Sequence, residues 1–215
     1  TAILGYSELM ESDAGADETI RAHATKIKTQ ALRTKNLVSN LLKFARQSKP
    51  ERKLVQLNTV AENALKLREL EEFGKTIRFV RALEPELPLT WGDAAQLTDV
   101  CLQLVGNAAD AVGEKGGTIK VRTYRGDAFV NLEVVDNGPG ISEPNRVFDP
   151  FYTTKGPGKG PGLGLSVCYG IVADHKGEII AENMSDGGAR FTVRLPMAMN
   201  FAAAQPGATG SSKQS

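Results

Sequence analysis

Three short segments carry residue types that could do chemistry together. The first is QLTDVCLQLVGNAADA, residues 96–111, which holds Asn107. On a helix Asn107 would face away from the stripe formed by Leu97, Val100 and Leu104. Its amide oxygen is a neutral, hard donor of the kind Mg²⁺ takes beside phosphate oxygens. Alone, an Asn on a helix is an ordinary solvated residue.

The second segment is Asp136-Asn137-Gly138-Pro139-Gly140-Ile141, directly after a strand-like run. A carboxylate at the buried end of a strand can accept a hydrogen bond from an exocyclic amine such as adenine's. Guanine presents an oxygen at that position, so Asp136 would also select the base. Gly138 and Gly140 permit positive φ and a close approach of backbone to a flat ring. Taken alone, the run is a plain Asp-Asn-Gly turn. The third segment is FDPFYTTKGPGKGPGLGLS, residues 148–166, with glycines at 158, 160, 162 and 164. Bare N–H groups beside a helix starting at Leu163 would point at an anion, and the helix dipole reinforces them. Lys155 and Lys159 add positive charge. No strand precedes this run as in a Rossmann loop, and no Gly-Lys-Ser/Thr closes it as in a Walker A loop. A flexible linker is the bland alternative, but this run opens directly into an apolar helix.

These segments need elements to hold them. Thr1 to Met10 is helical in period from its first residue, with Ile3, Leu4, Leu9 and Met10 on one side. That predicts a chain beginning inside a helix. Ser12 to Asp17 breaks the pattern, and a second helix is expected from about Glu18 to Gln47. Ile27, Ala31, Thr34, Val38, Leu41 and Ala45 repeat in steps of four and three, a heptad seam widened by Leu37, Leu42 and Phe44. Two such helices predict an antiparallel hairpin that buries its stripe against a second copy, a dimeric four-helix bundle. Ser48, Lys49 and Pro50 end it.

From there strands and helices alternate. Strands are expected at Lys53–Leu57, Thr76–Leu83 and Leu89–Trp91, with Asn58 capping a helix to about Phe73. Asp93 caps a long helix over 94–112. A hairpin joins 118–124 to 129–135 through Arg125-Gly126-Asp127. A helix from Leu163 to about Asp174 and strands at 178–182 and 189–195 follow. Residues 202–215 are Ala, Gly, Ser and Gln without apolar period and read as a disordered tail or linker.

The chain has 215 residues, enough for one good-sized domain and a smaller element. Lys and Arg total 26 against 25 Asp and Glu, so no overall field favours nucleic acid or a membrane surface. No apolar stretch reaches the roughly 18 residues of a spanning helix. A cytoplasmic location is expected, free-standing or beneath a membrane anchor. Cys101 and Cys168 lack metal-ligand spacing and read as reduced, buried thiols.

Taken in order, the Asn-bearing helix, the Asp-Asn-Gly-Pro-Gly turn, Phe-Asp-Pro-Phe-Tyr-Thr-Thr-Lys and Gly-Leu-Gly-Leu-Ser closely resemble the N, G1, F and G2 boxes of bacterial sensor histidine kinases. The resemblance spans 52–196. Residues 1–49 resemble that family's dimerisation and phosphotransfer helices, with Thr1-Ala2-Ile3-Leu4-Gly5-Tyr6 matching the run after the phosphoacceptor box. What it implies is an α+β chain: an N-terminal helical hairpin at 1–49, a Bergerat-type α/β sandwich at 52–196, and a tail at 197–215. It also implies an ATP site made of Asn107, Ala111, Asp136, Gly138, Gly140, Ile141, Phe148, Thr153, Thr154, Lys155, Lys159, Gly160, Gly162, Leu163, Gly164 and Leu165. Asn107 would hold Mg²⁺, Asp136 would read adenine, and the 160–165 backbone would hold phosphates. The implied partners are a second copy, through the N-terminal helices, and a response regulator receiver domain.

Several positions depart from the family pattern. The phosphoacceptor histidine would lie ahead of Thr1. His23 is followed by Ala24 and Thr25 rather than an acidic base, so it reads as a surface helix residue. His175 ends a helix, where a cationic ring would suit the dipole. Pro161 stands where a Thr or Ser is usual, and the stretch from Ile141 to Val147 is short. Gyrase-like ATPases share the pocket and place a Glu base one helical turn before the Mg²⁺ Asn. Here that position is Gln103, whose amide cannot accept a proton near neutral pH. The alternatives are thus such an ATPase or a non-catalytic dimeric ATP-binding module, with phosphoryl transfer to a histidine favoured.

Overall fold

The computed structural model describes residues 2–12, 17–45, 51–71, 76–113, 116–154 and 162–198, with the side chains of 33 and 35–45 excepted. The chain divides into two compact units, one of residues 1–49 with 149–164 and one of 50–148 with 165–215.

In the first unit, helix α1 (Ala2–Ser12) packs on helix α2 (Glu18–Ala45). Small residues meet between them, with Ser7 and Ala24 buried. Lys28 pairs with Glu11 at 2.8 Å, and Thr25 donates to the same carboxylate at 2.8 Å. These two contacts pull the Glu11 carboxyl below its usual range, and the Glu11 carboxylate pushes the Lys28 ammonium up. The larger apolar side chains Ile3, Tyr6, Leu9, Met10, Ile20, Ile27 and Leu32 face outward. Of the expected seam, Ile27 and Thr34 are exposed and Ala31 is half-buried; the side chains of Val38, Leu41 and Ala45 lie outside the described residues.

The second unit is a mixed sheet with helices packed on it. Strand β1 (Lys53–Val55) pairs antiparallel with β3 (Thr90–Gly92) as a small separate ribbon. Helix α3 (Leu57–Glu71) follows β1, and β2 (Ile77–Leu83) precedes β3. Helix α4 (Ala94–Val112) then leads to strands β4 (Gly117–Arg125) and β5 (Phe129–Asp136). Helix α5 (Gly164–Asp174) is followed by β6 (Glu178–Asn183) and β7 (Ala189–Pro196). The five-stranded sheet runs β2-β4-β5-β7-β6, with β2 parallel to β4 and every other pair antiparallel. Alternate residues Ile119, Val121, Val130, Leu132, Val134, Val193 and Leu195 are buried, as are Leu97, Val100, Leu104 and Val105 of α4 and Val60, Ala64 and Leu65 of α3. The period of two in the strands and of 3.6 in the helices builds one shared core. The expected α+β architecture, with helices on a mixed sheet, is the one found.

Two local readings change. Asn58 does not cap α3, which begins at Leu57. Its N–H goes to Gln56 Oε1, while its own amide donates to Glu84 O at 2.7 Å and accepts from the Thr123 hydroxyl. A tertiary demand from β4 wins over local capping. His175 is not a cationic ring at a helix end. It is buried, its Nδ1–H donates to Ile171 O at 2.7 Å, and its Nε2 accepts the Asp93 N–H at 2.9 Å. That pair of roles requires the neutral ring, and burial holds its pKa below the ordinary histidine value. Cys101 and Cys168 are free and buried, and burial pushes both thiols up to about 12.

Candidate functional site

Asp136 ends β5, opposite Ile119 in the register with β4, and is buried. Its Oδ1 accepts two backbone hydrogen bonds, from Gly138 N–H at 2.9 Å and Ala189 N–H at 3.3 Å. Its Oδ2 has no hydrogen-bond partner among the described residues. Burial pushes the Asp136 carboxyl above the usual carboxylate range, against the pull of those two N–H groups. One oxygen is therefore locked by backbone and the other is left to accept a ligand's proton donor.

The turn after Asp136 is tied down on three sides. Asn137 Oδ1 accepts the Thr118 N–H at 2.8 Å, which fixes the turn to β4. Gly138 lies so close to α4 that a Cβ there would stand 3.1 Å from the Ala111 carbonyl. Gly140 takes φ +83, and it alone of the two turn glycines needs the left-handed region; Gly138 is required for space. Asn183 accepts the Ile141 N–H at 2.6 Å and donates to the Ile141 carbonyl at 2.8 Å.

Helix α4 brings Asn107 to the same neighbourhood. Asp93 caps the helix by accepting the N–H groups of Ala95 and Gln96 at 2.9 and 3.1 Å. Asn107 and Ala111 are four residues apart and share a helix face, and Ala111 lies against the turn at Gly138. Asn107 is half-buried, and its Oδ1 accepts the Gln103 Nε2–H at 3.2 Å. Phe148 is half-buried, its ring 5.9 Å from Tyr169 of α5 and 6.4 Å, edge-on, from Phe191 of β7. Leu165 is half-buried on α5.

The remaining expected residues belong to the other unit. There the Phe151 N–H donates to Gly162 O at 2.9 Å and so joins the two ends of the glycine-rich run. Phe151 is exposed with φ 69, Thr153 and Thr154 are exposed, and Gly162, Leu163 and Gly164 are half-buried. Lys155, Lys159 and Gly160 lie outside the described residues, as does Pro161. The second unit thus brings Ala111, Asp136, Gly138, Gly140 and Ile141 together at one turn, with Asn107 four residues before Ala111 on α4 and Phe148 in an aromatic cluster beside α5 and β7. Sequence reasoning passed over Asn183 and the Ala189 N–H. An Asn ahead of Met-Ser-Asp-Gly-Gly reads as an ordinary turn residue, and nothing local reveals that its partner is Ile141.

A mixed sheet thus carries a strand-end carboxylate behind a glycine turn, with an Asn on the adjoining helix. Residues 92–199 match the family model of histidine kinase-, DNA gyrase B-, and HSP90-like ATPases. The chain belongs to that family, and over most of its length it is similar to two-component sensor histidine kinases. It is 35% identical over 213 residues to the sensory histidine kinase/phosphatase NtrB of Azospirillum brasilense, covering 92% of this chain and 52% of that protein. The structure of histidine kinase ThkA in complex with response regulator protein TrrA matches with TM-score 0.71 and 28% identity, over 93% of this chain and 58% of that one. Full-length ShkA in complex with AMPPNP matches with TM-score 0.71 and 25% identity, over 91% of this chain and 42% of that one. The chain spans about half the length of the curated relative NtrB.

Proposed function

We propose that this chain binds Mg²⁺-ATP around the Asp136–Ile141 turn and passes the γ-phosphoryl group to a histidine, from which it moves to a response regulator receiver domain. The observation that carries the reading is Asp136: buried, with one oxygen held by two backbone N–H groups and the other open. That arrangement suits an exocyclic amine and opposes a carbonyl, so it selects adenine over guanine. Similarity to ShkA, solved with AMPPNP, supports the nucleotide, and similarity to ThkA, solved with TrrA, supports the receiver domain.

Among the described residues no three of His, Cys, Asp and Glu form a metal cage. One half-buried amide oxygen, that of Asn107, suits an ion held mainly by phosphate and water, which is how Mg²⁺ binds. When bound, Mg²⁺ would neutralise charge on the transferring phosphoryl group. Asn107 would orient it and Asp136 the base. Gln103 occupies the helix position from which a carboxylate would deprotonate water. It spends its amide on Asn107 instead, at 3.2 Å, and an amide is no base near neutral pH. Transfer to a nucleophile is therefore favoured over hydrolysis. Of the two histidines, His175 is buried and hydrogen-bonded through both ring nitrogens, and His23 has no acidic neighbour following it. The acceptor histidine is assigned outside residues 1–215.

The outward apolar side chains of α1 and α2 support a homodimer through residues 1–49. Calorimetric titration tests the nucleotide reading: ATP is expected to bind at micromolar to millimolar affinity and GTP far more weakly. Equal binding of ATP and GTP would remove Asp136 from its role.

A further inference from the structure

Asn183 ends β6, and its side chain does what a neighbouring strand would do. Its Oδ1 accepts the Ile141 N–H at 2.6 Å and its Nδ2 donates to the Ile141 carbonyl at 2.8 Å, so both peptide groups of one residue are satisfied across 42 positions of chain. Gly140 stands beside this contact, where a Cβ would fall 2.8 Å from Asn183 Oδ1. At the other end of the turn the Ala189 N–H, first in β7, reaches Asp136 Oδ1 at 3.3 Å. The link between β6 and β7 is closed on itself by the Met184 N–H donating to Gly188 O at 3.0 Å. One hairpin therefore grips the Asp136–Ile141 turn at both ends.

We infer that Asn183 is a positioning residue for nucleotide binding: by gripping Ile141 it holds the Gly-Pro-Gly backbone in place relative to the Asp136 carboxylate. The inference rests on the reading of that turn as the adenine site. Asn183 is itself exposed, so water can satisfy Ile141 once the amide is removed, and the fold does not depend on it. What is lost is order in the turn, which the ligand must then restore on binding. A purely structural Asn would change melting without changing the affinity of the folded protein.

The test is calorimetric ATP titration of the chain, Asn183→Ala and Asn183→Asp, at pH 8 and near pH 5, at a temperature where melting curves show each fully folded. Asn183→Ala is expected to weaken ATP by about tenfold, the scale of one or two lost hydrogen bonds. At pH 8 the carboxylate introduced by Asn183→Asp offers only acceptors and turns one toward the Ile141 carbonyl, so this variant is expected to be at least as weak. Near pH 5 its carboxyl begins to protonate and can again both accept and donate. Its affinity relative to the wild type at the same pH is expected to recover. Wild-type affinity in Asn183→Ala, or a deficit in Asn183→Asp that does not change with pH, overturns the positioning role alone. Failure of the wild type to bind ATP overturns the adenine site and this inference with it. Should Asn183→Ala not fold, the pH series on Asn183→Asp decides.

Discussion

Asp136 shows how a single residue can be set against its own fold. Burial raises its carboxyl above the ordinary range, so the folded state holds its proton more tightly than the unfolded chain. Its contribution to stability is present below the unfolded value of about 3.9 and is lost as pH rises through the raised folded value. Where the group is ionised, burial makes it a burden on folding. Asp136→Asn keeps an oxygen for the Gly138 and Ala189 N–H groups and removes the charge. The melting temperature at pH 7.5 is expected to stay level or rise. ATP affinity is expected to drop by roughly 1.5–3 kcal/mol, the worth of one charge-assisted hydrogen bond. Calorimetry and thermal melting on one sample check both; unchanged affinity would free Asp136 of its role. The places of Asn107 on a helix, Asp136 at a strand end and Gly140 in the turn after it were legible in the sequence, because helix, strand and turn patterns are local. Asn183 was not, because its partner lies on a distant turn and no spacing encodes that contact.

At the scale of elements, α4 does the positioning. Asp93 Oδ1 caps its first turn, and Asp93 Oδ2 accepts the Glu51 N–H at 3.0 Å, so the entry to β1 is tied to the same cap. The Asp93 N–H in turn is held by His175, beyond the end of α5. Asp93 as a cap could be read from sequence, since an Asp before an apolar period is a local signal. The role of His175 could not, because it depends on which ring nitrogen finds a donor 82 residues away in the chain. The charges facing this ring are Arg52, which disfavours its cation, and Asp93 and Asp174, which favour it, with burial the largest influence and unfavourable to the cation. A histidine with lowered folded pKa contributes stability that is complete above the unfolded value of about 6.5 and is lost as pH falls below it. Urea midpoints are expected to be level from pH 8 to 7 and to fall from pH 6.5 to 5.5. In His175→Gln, which keeps an acceptor for Asp93 without a titrating ring, that fall is expected to shrink. An equal fall in both proteins would show that His175 does not carry the pH dependence.

At the scale of the molecule, the order of strands and helices followed from periodicity, and the helix-backed mixed sheet from the resemblance to sensor histidine kinases. The packing of α1 on α2 was legible as a helical hairpin, but the burial of Ser7 and Ala24 was not, because neither lies on the heptad seam. That leaves Leu9 and Ile27 outward, which supports a dimer. Light scattering is expected to report a dimer, and Ile27→Asp to shift it toward monomer because a carboxylate in an apolar seam is costly. A monomeric wild type at high concentration would contradict the bundle. ATP bound here is proposed to give its phosphoryl group to a histidine rather than to water. The direct measurement is incubation with γ-labelled ATP and Mg²⁺ of residues 1–215, of their His23→Ala variant, and of a longer form of the protein carrying the sequence ahead of Thr1. Slow phosphate release and almost no label are expected on residues 1–215, and acid-labile phosphohistidine on the longer form. Label on residues 1–215 that disappears with His23→Ala, or rapid release of phosphate into water, would contradict this proposal.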